Sequence, residues 1–467
     1  MKILMIILFI AFNSMFAFAQ HAHDHTSEDS YIYPTDKKVL DKLANWQDKK
    51  FGLIIHWGTY SQWGVVESWN LCPEDADFIN RTGPYGENWY EYKKAYENLP
   101  TTFNPTQFNP DSWAELAKNG GMKYVVFTTK HHDGFCMFDT KFTDYKVTNA
   151  NCPFSTNPKR NIAKEVFNAF RKQDFMIGAY FSKPDWHSND YWWSYFPPKD
   201  RNPSYDTKKY PERWARFKQF TYNQIEELMS GYGKIDILWL DGGQVRPPQQ
   251  DIEMSKIAAM GRTHQPGLLV VDRTVSGVNE NYITPEQQIP DSYISVPWET
   301  CLTIGDSWSY KPNDKYKSTT EIIHILCDIV AKGGNLLLNV GPQPNGELAP
   351  EQIQRINEIG AWMKVNGEAI YGTRPVAPYV SDKLAFTRKG DAVYAIYIPS
   401  KTDAKLPSLI HIQGFIPVKG SKISMLGSST SINWNVVDNK LQLQLPKGLL
   451  QKLPCEHACT FKIQVEN

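Results

Sequence analysis

Two carboxylates in this chain stand where a nucleophile and its partner acid would stand. Asp241 closes the apolar run 235–241, in which strand alternation puts Ile235, Ile237, Trp239 and Asp241 on one face. Gly242 and Gly243 follow, and without a Cβ they let a ligand approach the backbone. A carboxylate at a strand's end, beside a Trp and bare glycines, suits attack on the anomeric carbon of a sugar. An Asp at such a place can equally cap the segment that follows. A retaining two-carboxylate reaction needs a second carboxyl about 5 Å away, acting first as acid and then as base. Glu299 is the candidate: it ends the run 293–299, and Trp298 beside it offers the apolar surface that raises a carboxyl pKa. The plain alternative for Glu299 is a surface glutamate, and Glu67, Glu280, Glu286 and Asp306 compete for the role. Asp236 opens the strand that Asp241 ends, so it should lie at the opposite end and be structural.

Histidines cluster in the same kind of position. His56, His131, His132 and His187 each follow an apolar run. With Asp133, Asp185 or Asp241 they could ligate a metal. They could instead bond to sugar hydroxyls or be satisfied structural residues. Neighbouring strand residues face opposite ways, so His131 and His132 can share a site only where the strand has given way to a loop. No helix carries an HExxH spacing.

These residues need elements to position them. Short runs at 51–57, 123–129, 175–182, 235–241, 268–273, 293–299 and 335–340 are apolar on both faces, as buried parallel strands are. Helical patterns lie between them. Asp111 can cap a helix from Ser112, and 161–172 carries Ile162, Val166, Phe167 and Phe170 on one side. Pro211 suits the first turn of a helix reaching Met229. Ser318-x-x-Glu321 is a capping box for a helix ending near Gly333-Gly334, and Pro350 opens another to about Asn366. The alternation predicts an α/β fold with a parallel sheet, and the number of units favours an irregular (β/α)8 TIM-like barrel. Seven strands are visible, so one is hidden or irregular. Reactive residues of such a barrel follow the strands' C-terminal ends. That rule gathers His56, Lys130-His131-His132-Asp133, Tyr180-Phe181-Ser182, Asp241, Asp272-Arg273 and Glu299 at one mouth.

After Arg374-Pro375 the helical period stops. Strand-like runs at 384–387, 392–398, 410–413, 423–426, 441–445 and 461–465, with turns at Lys389-Gly390-Asp391 and Asp438-Asn439, predict a C-terminal antiparallel β-sandwich. At the other end, Lys2, the apolar stretch 3–18 and Ala17-Phe18-Ala19 read as a signal peptide. The expected division is a signal peptide at 1–19, a flexible leader at 20–33, a barrel at 34–374 and a sandwich at 375–467. Export to the periplasm or beyond follows, with no membrane span in the mature chain.

Composition narrows the partners. Lys+Arg and Asp+Glu balance at 50 each with no basic run, which argues against nucleic acid or an anionic membrane. No GxGxxG or Walker sequence follows a strand, against nucleotide binding. Seven Cys are too sparse for a disulfide scaffold, although Cys455 and Cys459 are close enough to close a small loop.

The segments Phe51-Gly52-x-x-x-His56-Trp57-Gly58, Thr129-Lys130-His131-His132-Asp133-Gly134-Phe135, Gly178-x-Tyr180-x-Ser182, Trp239-Leu240-Asp241-Gly242 and Asn335-Leu-Leu-Leu-Asn339-Val-Gly341-Pro342 resemble those of the α-L-fucosidases, a family (29) of retaining glycoside hydrolases. The resemblance covers nearly all of residues 51–344. It implies an irregular (β/α)8 barrel followed by a β-sandwich. It also implies retaining release of terminal α-L-fucose from a fucosylated oligosaccharide or glycoconjugate, with no cofactor and no metal. Asp241 falls on the family's nucleophile position. His56, His131, His132, Tyr180 and Arg273 fall on fucose-binding positions, with Glu67 and Trp69 joining them and Trp308 a surface for the fucose methyl group. Trp298-Glu299-Thr300-Cys301 matches a common family segment at 299 − 241 = 58 residues past the nucleophile, which gives Glu299 the acid/base role. Ser307-Trp308-Ser309-Tyr310 departs from the usual Ser-Trp-Gly-Tyr. Glu67-Ser-Trp-Asn-Leu-Cys-Pro looks like the subgroup that prefers α-1,3/1,4-linked fucose. The rival readings are a non-catalytic fucose-binding protein and a retaining glycosidase for another sugar.

Overall fold

Seven parallel strands form the wall around the expected site: β1 (Phe51–Ile55), β2 (Tyr124–Lys130), β3 (Met176–Ser182), β4 (Ile237–Asp241), β5 (Leu269–Asp272), β6 (Glu299–Thr303) and β7 (Asn335–Val340). They come from a computed structural model that describes residues 27–74, 76, 79–81, 84–400 and 405–465. The signal peptide expected at 1–19 lies outside the described residues. Almost every strand residue is buried on both faces, which is why the runs read as continuously apolar. The strand order is β5-β4-β3-β2-β1-β7-β6.

The eighth position, between β5 and β6, is filled by a segment that is not a regular strand. Asn281 N–H donates to the Val270 carbonyl at 2.9 Å, Glu299 N–H to Ile283 at 2.9 Å, and Gln287 N–H to Cys301 at 3.0 Å. Parallel bridges pair Ile283 with Trp298 and Glu286 with Cys301. Pro285 has no N–H to give and interrupts the ladder, so the segment lacks a strand's signature. The run expected as a strand at 293–299 is instead an approach, and β6 begins where that run was expected to end.

Among the described residues, eight helices accompany this sheet: α1 (Lys37–Lys49), α2 (Trp89–Glu97), α3 (Pro110–Asn119), α4 (Ile162–Lys172), α5 (Pro211–Gly231), α6 (Met254–His264), α7 (Thr319–Ala331) and α8 (Pro350–Asn366). Asn161 caps α4 and Ser318 caps α7 through its bond from Glu321 N–H. Asn109 rather than Asp111 caps α3, because Pro110 occupies the first helical position, where a missing N–H is harmless. The first helix closes the barrel's floor. Its Val39, Leu43 and Trp46 pack with the interior residues Ile54, Tyr124, Trp239 and Tyr282, and Trp46 stacks on Tyr282 with ring centroids 3.9 Å apart.

The C-terminal domain is antiparallel: β8 (Arg374–Ser381), β9 (Leu384–Lys389), β10 (Ala392–Tyr397), β11 (Leu409–Gln413), β12 (Ile423–Met425), β13 (Ser431–Val437), β14 (Lys440–Gln444) and β15 (Cys459–Gln464), with α9 (Lys447–Gln451) before the last. Strands β8 and β13 lack a strand's signature because they are largely exposed: β8 carries two prolines and buries no residue, and β13 buries only Ile432. Phe386, Val393, Ile412, Leu441 and Phe461 build its core, while Ala385, Tyr394 and Ile396 face the barrel. All seven cysteines are free, Cys455 and Cys459 included. The described end of the leader is docked: Tyr31 Oη donates to the Asn281 carbonyl at 2.7 Å. Among the described residues, no helix is long and apolar enough to cross a membrane.

Candidate active site

The loops after the strands enclose a cavity of about 460 Å³ at the barrel mouth. Asp241, the last residue of β4, lies on its wall with its side chain 22% exposed. Arg273 Nη1 donates to Asp241 Oδ1 at 2.7 Å, and Tyr180 Oη donates to Oδ2 at 2.7 Å. Burial alone would raise this carboxyl's pKa. The Arg273 charge, followed by His132 and the Tyr180 hydrogen bond, overcomes it and holds Asp241 well below the usual carboxylate range. Asp241 is therefore an anion with both oxygens oriented, as a nucleophile must be.

Arg273 follows β5 and holds a second carboxylate. Its Nη2 donates to Glu286 Oε2 at 2.6 Å while its guanidinium lies 4.3 Å from the centre of the Trp239 ring. Glu286 lies on the cavity wall, 23% exposed, carried there by the irregular eighth segment. One guanidinium thus brackets Asp241 and Glu286 on the two sides of a single space.

Three histidines face that space in neutral form. Asn339 Nδ2 donates to the Trp308 carbonyl at 2.6 Å, which turns Asn339 Oδ1 toward His56 Nδ1 at 2.6 Å. His56 therefore carries its proton on Nδ1 and presents a bare Nε2. Burial pushes its pKa down to about 4. His131 Nδ1 bonds to Ser68 Oγ, and burial pushes His131 well below the ordinary value. His132 is lowered to about 4 by burial, against the pull of Asp241, whose Oδ2 is 3.8 Å from Nε2. Ligand atoms of His131, His132 and Asp241 lie within 4.8 Å of one another. A cation there would compete with Arg273 and Tyr180 for both Asp241 oxygens.

Glu67 is almost fully buried at the cavity, and among the described residues its Oε1 has no partner. Burial, then the charge of Glu286, raises it to about 8, so it is a neutral acid at pH 7 and can donate a proton or a hydrogen bond. Trp69 and Trp308 complete the wall, Trp69 edge-on to His132 at 5.3 Å and Trp308 tilted over His56 at 5.1 Å. Ser309, where the resemblance leads one to expect glycine, ties two loops together: its Oγ donates to the Val65 carbonyl at 2.5 Å and accepts from Glu67 N–H at 3.4 Å.

Nine of the ten residues to which the resemblance gives a role meet here: Asp241, His56, Glu67, Trp69, His131, His132, Arg273 and Trp308 on the wall, and Tyr180 bonded to Asp241. Glu299 does not. It begins β6 instead of ending a strand, which turns it toward the floor, and it is wholly buried outside the cavity lining. Two wall residues had signals that the sequence reading did not follow through. Trp239 is two residues before Asp241 on the same strand face, and Glu286 follows a strand-like Tyr-Ile-Thr just before Pro285 would hide it.

Comparison with known proteins gives a family. A family model described as Alpha-L-fucosidase matches residues 18–368, and one described as Alpha-L-fucosidase C-terminal domain matches 378–464. The chain is 30% identical over 462 residues to the tissue alpha-L-fucosidase of Bos taurus, covering 92% of this chain and 91% of that one. It is similar to the solved alpha-L-fucosidase isoenzyme 1 from Paenibacillus thiaminolyticus (TM-score 0.74, 28% identity, 92% of this chain and 100% of that one). It is also similar to the Thermotoga maritima alpha-fucosidase in complex with fucose (TM-score 0.71, 26% identity, 92% and 100%).

Proposed function

We infer the reaction from one premise: the chain belongs to the α-L-fucosidase family, and it is a glycosidase. We propose that it releases terminal α-L-fucose from oligosaccharides or glycoconjugates with retention of configuration. The observation that carries this reading is the shared Arg273, which presents Asp241 and Glu286 to one cavity. Two carboxyls on one guanidinium, facing one cavity, suit a double displacement, which needs about 5 Å between them; inversion needs room for a water.

In this scheme Asp241 attacks the anomeric carbon and forms a fucosyl ester. Glu286, not Glu299, is the acid: its protonated form gives the proton to the departing oxygen and becomes the carboxylate that Arg273 holds. It then takes one from the water that cleaves the ester. The bare His56 Nε2 accepts from a sugar hydroxyl, His131 and His132 bond to others, and the neutral Glu67 donates. Trp308 and Trp239 offer the apolar surface that the C5 methyl needs. The Glu67-Ser-Trp segment supports a preference for α-1,3/1,4 linkages. The N-terminal signal supports export to the periplasm or medium, and the fucosylated glycan is the only partner proposed.

The test is an assay of the mature protein on an aryl α-L-fucoside and on a Lewis-type trisaccharide, with the first-formed anomer read by proton NMR. Release of α-L-fucose from both is expected. Glu286→Gln should lose about 10²- to 10⁴-fold on the trisaccharide and far less on the aryl compound, whose leaving group needs little acid help. Equal losses on the two substrates would remove Glu286 from the acid role. No release from either by the wild-type protein would favour a sugar-binding protein or another sugar.

A further inference from the structure

The mechanism makes no use of Glu299, a carboxyl with no exposed surface in the middle of the barrel. A buried glutamate survives only with partners, and its partners here are specific. Tyr124 Oη donates to Oε2 at 2.7 Å, and Trp239 Nε1–H donates to Oε1 at 3.1 Å. Tyr124 reaches across the barrel because residue 52 is glycine: a Cβ there would fall 2.4 Å from the tyrosine ring. On its other side Tyr124 meets Trp46 of the helix that closes the floor, edge-on at 6.3 Å.

Trp239 is the link upward. Its ring stacks with Tyr180 at 5.3 Å and carries the Arg273 guanidinium at 4.3 Å. Those two residues make the two hydrogen bonds that orient Asp241. An indole has one donor, and flipping the ring would strand it in an apolar interior at a cost of about 1–3 kcal/mol. An acceptor at Nε1 therefore fixes which face and edge of Trp239 lie under the sugar and under Arg273.

We propose that Glu299 is a positioning residue: it locks the Trp239 indole from below and, through Arg273 and Tyr180, sets the geometry of Asp241. The inference rests on Asp241 as the nucleophile.

The test is a double-mutant cycle in the full-length chain with an aryl α-L-fucoside, at a temperature where every variant is folded by circular dichroism. Glu299→Met and Trp239→Phe should each lower kcat/KM by about 10- to 100-fold, and the double variant should be no worse than the worse single one. Glu299→Gln keeps an acceptor and should stay within about 3-fold of wild type. Tyr124→Phe, which removes only the partner below, should also stay within about 3-fold. In Glu299→Met the acid limb of the kcat/KM profile should move to higher pH as Arg273 loosens from Asp241. A loss of stability alone would not move that limb. Multiplying losses in the cycle, or full activity in Glu299→Met, would overturn the proposal. So would a Glu299→Gln enzyme dead on the trisaccharide but active on the aryl fucoside, which would make Glu299 the acid itself. If Glu299→Met does not fold, the Gln variant in the wild-type and Trp239→Phe backgrounds decides. One readout needs no activity: the Trp239 indole N–H resonance, identified by its loss in Trp239→Phe, should move upfield in Glu299→Met. An unmoved signal overturns the proposal even if the fucosidase reading is itself at fault.

Discussion

Asp236 and Asp241 bracket β4, one at each end, and the chain treats them in opposite ways. Asp236 at the floor is paired with Lys42 of α1 and accepts from Ile177 N–H at 3.0 Å, and its side chain is 3% exposed. Asp241 at the mouth takes one bond on each oxygen from Arg273 and Tyr180 and keeps 22% exposure toward an open cavity. Both carboxylates are partnered. What separates them is where the partners come from. The floor carboxylate is satisfied by elements that close the barrel. The mouth carboxylate is satisfied by Arg273, which borders the cavity, and by Tyr180 behind it, which leaves its outer face for a substrate.

The sharpest way to break that contrast is to remove the mouth carboxylate. Asp241→Ala should lower kcat by about 10⁴-fold or more while the fold persists. A variant that kept more than a few percent of wild-type turnover would end the nucleophile assignment, and one that failed to fold would make Asp241 structural like Asp236.

The matching change at the floor should do the reverse. Asp236→Asn leaves Lys42 without its buried counter-charge and should cost about 3 kcal/mol in a denaturant titration. Its kcat and KM should stay within about 2-fold of wild type. An Asp236→Asn protein of normal stability but reduced turnover would show that the two ends are not separate in role.

Most of this contrast was legible in the sequence, for a physical reason. Strand alternation fixed the face of Asp241, and the rule that reactive residues follow barrel strands brought together His56, His131, His132 and Arg273 from three separate stretches. The floor role of Asp236 followed from the same reasoning. Glu299 lies elsewhere than expected because the run 293–299 is apolar without being a strand: two hydrogen bonds with Ile283 start β6 at residue 299, where the expected strand ended. Glu286 was harder to see for the complementary reason. Its segment closes the barrel through only a few bonds around Pro285, and such a segment has no period to read.

The smallest expected effect compares two acids, Glu67 at the mouth and Glu299 at the floor. Burial raises both, to about 8 and about 7, from an ordinary 4.5. A folded-state pKa above the unfolded value gives stability that is complete below the unfolded pKa and is lost as pH rises through the folded one. Each group should therefore make the protein less stable between about pH 5 and pH 8, by up to roughly 5 kcal/mol for Glu67 and roughly 3 kcal/mol for Glu299. Glu299→Gln should flatten the fall in denaturation midpoint up to about pH 7, and Glu67→Gln the part that continues to about pH 8. A saturating fucose-configured iminosugar should alter the Glu67 share, because that carboxyl borders the cavity and its Oε1 has no partner among the described residues. It should leave the Glu299 share intact, because Tyr124 and Trp239 already hold that group out of a ligand's reach. A ligand that altered both shares equally would mean that the mouth and floor titrate as one network, and the division drawn between Asp241 and Asp236 would then not extend to the acids between them.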